Sequence, residues 1–401
     1  MLEQLSIIDW ILLGALLGVF IAQIYWYSRY AAAPARKMRK DRKSSISNLQ
    51  SPMSEAPGVS VILCAHNESE NLSNYLQALL AQDYPEYEVI VVDDGSEDET
   101  RAVIERYMIR DPRLHMTFVP YGARVGSTKK LALTLAAKAA KYDYLLLTDA
   151  DCVPESKNWI REMMKGFDEG KDIVLGFSPY FAEKSHVNRL IRFDTLFNGL
   201  HYLGAALCGH PYMGVGRNLA YRKAMFFESG GFTHLMNNKA GDDDLFVNHV
   251  ATKTNTSVVL SRESYTWTPA KQTMREWLQQ KRRHISVSPA YRGETKFRLA
   301  LEPLSRGLFY GLVIAIIALQ LMDFRFQTKD IIALLLTYLP LLVALGLFLT
   351  RWIVQTAILN VSARRMGLSR FNMFSILWFD IVLPIVNLWM LAVPKRNIKK
   401  W

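Results

Sequence analysis

The sequence predicts an α/β domain built on a mostly parallel sheet and carried between segments that can cross a membrane. Three observations predict it. From Val59 to Asp151, short apolar, β-rich runs alternate with helical stretches, the pattern of βαβ units. Each run ends in polar residues, as strands covered on both faces do where they emerge at one edge of a sheet. Apolar stretches of bilayer length lie on both sides of this region. The chain has 401 residues, enough for one large or two ordinary domains; it is 50% hydrophobic with a formal net charge of +11. Basic and apolar together leave nucleic-acid binding or membrane residence with positive flanks. Much of the excess charge flanks the apolar segments, so membrane lipids are expected as partners and nucleic acid is not.

At the N-terminal side, Ile7 to Tyr27 is apolar, with Trp10 near one end and Trp26 and Tyr27 at the other, as interfacial aromatics sit. "ARKMRKDRK" follows, which places Arg36 to Lys43 in the cytoplasm by the positive-inside rule. A cleaved signal peptide carries its positive charge before the apolar run, so an uncleaved anchor is expected. "SSISNLQSPMSEAPG" reads as a linker. The strands are "VSVILCAHN", "YEVIVVDDGS", "HMTFVP" and "DYLLLTDAD"; the intervening helices are Glu70 to Ala81, Thr100 to Tyr107 and Thr128 to Ala140. Beyond Leu301, Pro303 to Met322 and Ile331 to Leu349 can span, and Phe371 to Val393 is a third stretch, interrupted by Asp380, Pro384 and Asn387. A full set of four spans would put the basic tail "PKRNIKKW" outside, against the rule, unless the last stretch is re-entrant or interfacial. The division expected is an anchor at 1–30, a basic juxtamembrane linker at 31–57, an α/β domain at 58–295 and a membrane domain of two or three helices at 296–401. Cys64, Cys152 and Cys208 are too widely spaced for a metal motif and suit a reducing compartment.

The chemistry gathers at the strand ends. Asp149 and Asp151, in "LLLTDADCVP", are two like charges one residue apart, so something must compensate for them. Paired oxygen ligands suit Mg2+ or Mn2+, which bridge a diphosphate more often than they sit in an all-protein cage. Two solvated loop acids are the alternative. Asp93 and Asp94 follow the neighbouring strand, where they can accept from a ribose or base; Asp98 caps the next helix instead. Asn67 and Glu68 follow the first strand, with Ser69 or Asn71 as an N-cap.

In order along the chain, "VILCAHNESENL", "VIVVDDGSED", "LLLTDADCVP", "GVGRNLAYRK", "AGDDDLF" and "QQKRRH" resemble the membrane-bound family 2 glycosyltransferases, the branch of cellulose, chitin and hyaluronan synthases. The resemblance covers about Val59 to His284. It implies the Rossmann-like GT-A fold, a nucleotide-diphosphate-sugar donor and inversion at the anomeric carbon. On that resemblance Glu68, Asp93 and Asp94 lie at the nucleoside and Lys129 near the donor phosphates, with Lys130 a close alternative. Asp149 and Asp151 match the metal-binding acids, Asp151 as the more direct ligand. Aligning Gly241-Asp242-Asp243 with the family's general-base motif makes Asp243 the base, with Asp242 or Asp244 supporting the loop or capping the helix Leu245 to Ala251. Gln280, Arg283 and His284 match the Gln-x-x-Arg-Trp motif, with His284 in place of the Trp, which weakens the case for processivity. Gly214, Gly216 and Asn218 fit an acceptor-pocket pattern, Arg192 to Gly204 a helix beside it. Trp267 is left between sugar stacking and packing, Trp277 is read as packing.

The resemblance therefore implies a hexosyl- or N-acetylhexosaminyltransferase of the inner (cytoplasmic) membrane. It would be multi-pass, with the α/β domain facing the cytoplasm, Mg2+ or Mn2+ as cofactor and a UDP-sugar as donor. The acceptor is a glycan or lipid-linked molecule, and an oligomer or export partner is allowed. The rivals are a processive polysaccharide synthase with its own export path, a nucleotidyltransferase, and an inactive membrane scaffold of the same fold.

Overall fold

Seven strands hydrogen-bond into one sheet between the membrane helices. The computed structural model describes residues 6–47, 56–120, 122, 126–238, 240–322 and 337–392. The strands are β1 Val59–Ala65, β2 Tyr87–Asp93, β3 Leu114–Phe118, β4 Tyr144–Leu147, β6 Ile173–Leu175, β7 Leu219–Arg222 and β8 Thr256–Val258, while β5 Val153–Pro154 and β9 Thr266–Trp267 form a separate ribbon. The sheet order is β3-β2-β1-β4-β7-β6-β8. β1 pairs in parallel with β2 and β4, and β2 with β3; β7 runs antiparallel between β4 and β6, and β8 closes the edge parallel to β6. The mostly parallel α/β sheet is as expected from sequence.

Every residue of β1 and β2 is buried, which is why these strands are mostly apolar rather than alternating; the interior exceptions Ser60 and Glu88 bond to each other (2.6 Å). Their side chains still divide by the two-residue period. Ile62, Cys64, Ile90, Val92, Leu145 and Leu147 enter one core; Val61, Leu63, Val89, Val91 and Leu146 enter the other. The crossover helices α3 Ser69–Leu80, α4 Thr100–Met108 and α5 Thr128–Ala139 start and stop within a residue of their expected positions. Asp98 does cap: its two oxygens accept from the N–H of Thr100 (3.0 Å) and of Ser69 (3.2 Å), so one carboxylate serves the starts of both α4 and α3. Neither Ser69 nor Asn71 caps α3; Asn71 instead donates to Glu68 Oε2 (2.5 Å).

The helices outside this unit are α1 Ile7–Trp26, α2 Ala33–Ser47, α6 Trp159–Met164, α7 His186–Leu207, α8 Lys223–Glu228, α9 Asp244–Val250, α10 Met274–Ile285, α11 Gly293–Met322, α12 Leu339–Arg365 and α13 Met373–Ala392. Among the described residues four helices are long and apolar enough to cross a membrane: Ile7–Lys43, Gly293–Met322, Leu339–Arg365 and Met373–Met390. A π-helical turn, Tyr27–Ala31, joins α1 to α2, so the basic segment read as linker is helical as far as Ser47. Its Lys, Arg, Met and Ala residues favour helix, and Pro34 sits in the first turn where it is tolerated. The rest of that linker up to residue 55, residues 331–336 of the expected second C-terminal span, Val393 and the basic tail lie outside the described residues. The third C-terminal stretch is one helix containing Pro384.

Charge balance fastens these helices together. Asp380 of α13 pairs with Arg351 of α12 (3.0 Å) and Arg306 of α11 (2.9 Å); Arg306 also pairs with Glu302 (2.9 Å), and Gln23 of α1 accepts from Arg351 (2.9 Å). All five side chains are buried. Two guanidinium groups opposite two carboxylates leave no net charge in an apolar setting. The same helices join the core of the sheet domain: Tyr27, Leu359, Ala363, Phe371 and Phe379 pack in one cluster with residues of β1, β4 and α7.

Asn218 ties the sheet to its surroundings. Its amide donates to the carbonyls of Phe177 (2.9 Å) and Ser264 (2.7 Å), and its oxygen accepts from Trp159 Nε1 (3.1 Å). Gly176 leaves the room for it, since a Cβ there would come 2.5 Å from the Asn218 side chain. Asn218→Ala strands three buried polar groups, at roughly 1–3 kcal/mol for such losses. It is expected to lower the denaturation midpoint in urea, measured in detergent, well beyond an Asn→Ala change at the exposed Asn67.

Candidate active site

The turn after β4 carries Thr148, Asp149, Ala150 and Asp151 at the carboxyl end of the parallel strands, where ligands of open α/β sheets bind. Ser127 caps α5, and the first turn of that helix brings Lys129 alongside. Lys129 Nζ lies 3.1 Å from Asp149 Oδ1 and 3.2 Å from Asp242 Oδ2. One ammonium thus links two acids 93 positions apart in sequence. Its neighbour Lys130 is fully buried and donates to the carbonyls of Asn238 (2.5 Å) and Ala240 (2.7 Å). Lys130 is therefore an anchor for the segment leading into the acidic cluster, and Lys129 is the lysine in the site. Gly241 makes the turn into the acids at φ +85°, a conformation other residues avoid.

Asp243 stands at the N-terminus of α9. Its Oδ1 accepts from the N–H of Asp244 (2.8 Å) and its Oδ2 from the N–H of Gly216 (2.8 Å), so the carboxylate is aimed by backbone on both sides and keeps a lone pair on each oxygen. The three consecutive acids have separate environments. For Asp242 burial alone would favour the neutral form, but Lys129 and Lys130 outweigh it and hold the group below the usual carboxylate range. Burial and the charge of Asp242 push Asp243 above that range. Burial and Asp243 push Asp244 up to about 8; its Oδ2 accepts from Tyr291 (2.9 Å) and its Oδ1 from the N–H of Leu245. Burial alone would lower Lys129, but Asp149 and Asp242 raise it well above the usual range, so it stays charged. Adjacent carboxyl groups driven apart in this way are how one site holds a permanent anion beside a proton acceptor.

The opposite wall is α10 against α7. Lys281 donates to both oxygens of Asp194 (2.7 Å each), and Gln280 donates to the Tyr180 hydroxyl (3.3 Å). Trp277 is buried, as the packing reading expects, and Trp267 stacks on Phe181 with ring centroids 5.7 Å apart while its indole N–H donates to Glu155. His284 opens onto the cleft; the enclosed surroundings first, then Arg283, Arg217 and Lys281, hold its imidazole below the usual range. These walls enclose a cleft of about 1440 Å³. Glu68, Lys129, Asp149, Asp151, Asp242, Asp243, Gln280, Arg283 and His284 all line it. Burial raises Glu68 above its usual range. Asp93 and Asp94 do not belong to that lining. Asp93 is buried and accepts from the N–H of Ser96 (2.9 Å); Asp94 accepts from Thr128 Oγ1 (2.6 Å), which ties the end of β2 to the first turn of α5. Three lining residues carried no signal of their own in the sequence: Tyr180, Asp194, and Arg217 within "GVGRN".

Asp149 and Asp151 offer hard oxygen donors on one turn. Among the described residues no group of three or more His, Cys, Asp or Glu forms a metal cage. That donor set fits a cation that completes its shell with ligand oxygens and water, as Mg2+ and Mn2+ do, and does not fit a caged structural ion.

Residues 60–230 match the family described as glycosyl transferase family 2. That stretch is less than half of the chain. Among curated relatives, a poly-beta-1,6-N-acetyl-D-glucosamine synthase from Staphylococcus epidermidis is 32% identical over 105 residues, 26% of this chain and 24% of the relative. Chondroitin synthase from Pasteurella multocida is 30% identical over 141 residues, 34% of this chain and 14% of the relative. The matched stretch thus spans about a quarter or less of those proteins. Among solved structures, the mannosyltransferase PcManGT from Pyrobaculum calidifontis, in complex with GDP-Man and Mn2+, superposes with TM-score 0.48 at 19% identity, covering 88% of this chain and 98% of that one. Residues 1–349 of TarS from S. aureus, in complex with UDP-GlcNAc, superpose with TM-score 0.39 at 16% identity, covering 77% of this chain and 88% of that one.

The raised Asp243 carboxyl has a kinetic signature if it accepts a proton. The protonated form is inactive, so kcat/KM rises with pH through its pKa, and the acid limb is expected above the ordinary carboxylate value of about 4. Lys129→Met removes the cation that holds Asp242 ionised. The acid limb is expected to move in that variant; a pH–rate profile with an unchanged acid limb contradicts the coupling.

Proposed function

We propose that this chain is a membrane-anchored, inverting glycosyltransferase that moves a hexosyl or N-acetylhexosaminyl group from a UDP-sugar to a glycan or lipid-linked acceptor. The observation that carries the reading is the Lys129 bridge, which draws the Asp149–Asp151 turn and the Asp243 helix end to one cleft large enough for donor and acceptor together. The names of the relatives, synthases of two polysaccharides, support a glycan product.

Asp149 and Asp151 would hold Mg2+ or Mn2+, which when bound neutralises charge on the departing diphosphate. The chain's own residues do the rest. Asp243 accepts the proton of an acceptor hydroxyl as that oxygen bonds to the anomeric carbon. The bond from that carbon to the diphosphate oxygen breaks on the opposite face, its electron pair leaving with the nucleoside diphosphate, and the configuration inverts. Arg283 faces the cleft as a cation for the leaving group. Asp242, kept ionised by Lys129, raises the proton affinity of Asp243. The α7 wall of the cleft connects to the membrane helices, since Phe193 on α7 packs against Phe371 and Phe379 with centroids 5.3 and 5.0 Å apart. An acceptor held at the membrane therefore has a short route to the cleft. Arg36 to Lys43 after the first span argue for a cytoplasmic α/β domain on the inner membrane.

A panel of nucleotide sugars, with nucleoside diphosphate release and product mass as readouts, tests the reading. Transfer with release of UDP is expected, and release of pyrophosphate would point to a nucleotidyltransferase instead. Asp243→Asn keeps an oxygen for the Gly216 N–H but loses the base, so kcat is expected to fall at least about 100-fold. UDP affinity should change less than about twofold. Full turnover by that variant excludes both this base and, by the same token, this mechanism. Chelation by EDTA is expected to abolish transfer and Mn2+ to restore it. A ladder of products rather than one discrete product would mark a processive synthase.

A further inference from the structure

We infer that Arg217 contacts the donor, its guanidinium Nη1 donating to the sugar-bearing phosphate of the nucleotide sugar. The inference rests on the glycosyltransferase reading above and adds a residue that the family resemblance did not single out.

The backbone around Arg217 is pinned at three consecutive positions. The Gly216 N–H donates to Asp243 Oδ2, the Arg217 carbonyl accepts from Thr266 Oγ1 (2.8 Å), and the Asn218 side chain is held by Phe177, Ser264 and Trp159. The side chain is held as well, with its guanidinium carbon 4.6 Å from the centroid of the Tyr180 ring. A group fixed this firmly has little freedom to seek a partner, yet Nη1 is buried and has no hydrogen-bond partner. A buried donor left open in this way calls for something that binds there.

Two of the lining lysines are already engaged with carboxylates. Lys129 serves Asp149 and Asp242, and Lys281 gives two bonds to Asp194. Arg217 lines the same cleft as Asp149 and Asp151 without forming an ion pair to either. An anion arriving at the paired acids together with a cation would meet its open Nη1. The location selects the phosphate. Arg217 shares the cleft with Asp149 and Asp151, the acids proposed to hold the cation on the departing diphosphate, so the phosphate is the anion brought to its side of the site. A planar guanidinium suits phosphate oxygens better than an ammonium does.

The test is isothermal titration of the full-length protein in detergent with UDP and with UMP, in saturating Mn2+ and again without metal. Wild type is expected to prefer UDP. Arg217→Gln is expected to weaken UDP binding by about 10–100-fold and UMP binding by less than about threefold, collapsing the preference, with size-exclusion and circular dichroism profiles unchanged. Arg217→Lys keeps the charge but not the fork and is expected to fall between. A UDP-to-UMP preference that survives intact in a folded Arg217→Gln protein overturns the proposal and leaves Arg217 as a packing residue. If that variant does not fold, Arg217→Lys decides: a lower preference supports the contact and an unaltered one overturns it. Wild type binding neither UDP nor UMP would bring down the UDP-sugar donor reading itself, and Arg217 with it.

Discussion

Acids gathered at the end of a sheet repel one another, and the cation of Lys129 is what makes the gathering stable. Asp149 comes from a segment far in sequence from the adjacent Asp242 and Asp243. Without a charge between them the turn after β4 and the start of α9 would be driven apart. The bridge also divides labour among the acids. Asp242, in contact with the ammonium, stays an anion, and Asp243, next to that anion and out of water, gains proton affinity. The arrangement needs Lys129 held still, which α5 achieves by setting Lys130, one residue on, into a buried site on the carbonyls of Asn238 and Ala240. Two adjacent lysines thus take different tasks, one facing the cleft and one fastening the segment that leads into the acidic cluster.

The membrane part follows the same electrostatic logic at lower dielectric. Asp380, Glu302, Arg306 and Arg351 neutralise each other between helices, so the bundle carries polar groups without exposing charge to lipid. The bundle is also continuous with the sheet domain. Tyr27 with Leu359 and Ala363 of α12 and Ile376 and Phe379 of α13 share a hydrophobic cluster with α7, and α7 carries Asp194 and Thr195 on the cleft side. One helix therefore packs on the long apolar helices with one face and lines the cleft with another, fixing the site relative to those helices.

Much of this was legible in the linear chain. The strands announced themselves because a sheet covered on both faces demands uninterrupted apolar residues, and the polar residues at their ends marked the edge where ligands bind. Asp149, Asp151, Asp243, Gln280, Arg283 and His284 could be named in advance because their motifs are local in sequence, and all of them line one cleft. Asp93 and Asp94 were equally visible, yet the fold turns one into the support of its own loop and the other into a tie to Thr128. Nothing local distinguishes a carboxylate that faces a ligand from one that receives a nearby N–H.

Sequence alone determined the α/β class, the boundaries of the crossover helices and the identity of the acidic motifs, because periodicity, capping and hydrophobic length act over a few residues. Tertiary structure alone decided which of Lys129 and Lys130 meets the acids, that three consecutive aspartates have separate electrostatic environments, and that Arg217 stands with an open donor in the same cleft. Those outcomes depend on charges and burial contributed by partners dozens of residues away, and only folding sets such distances.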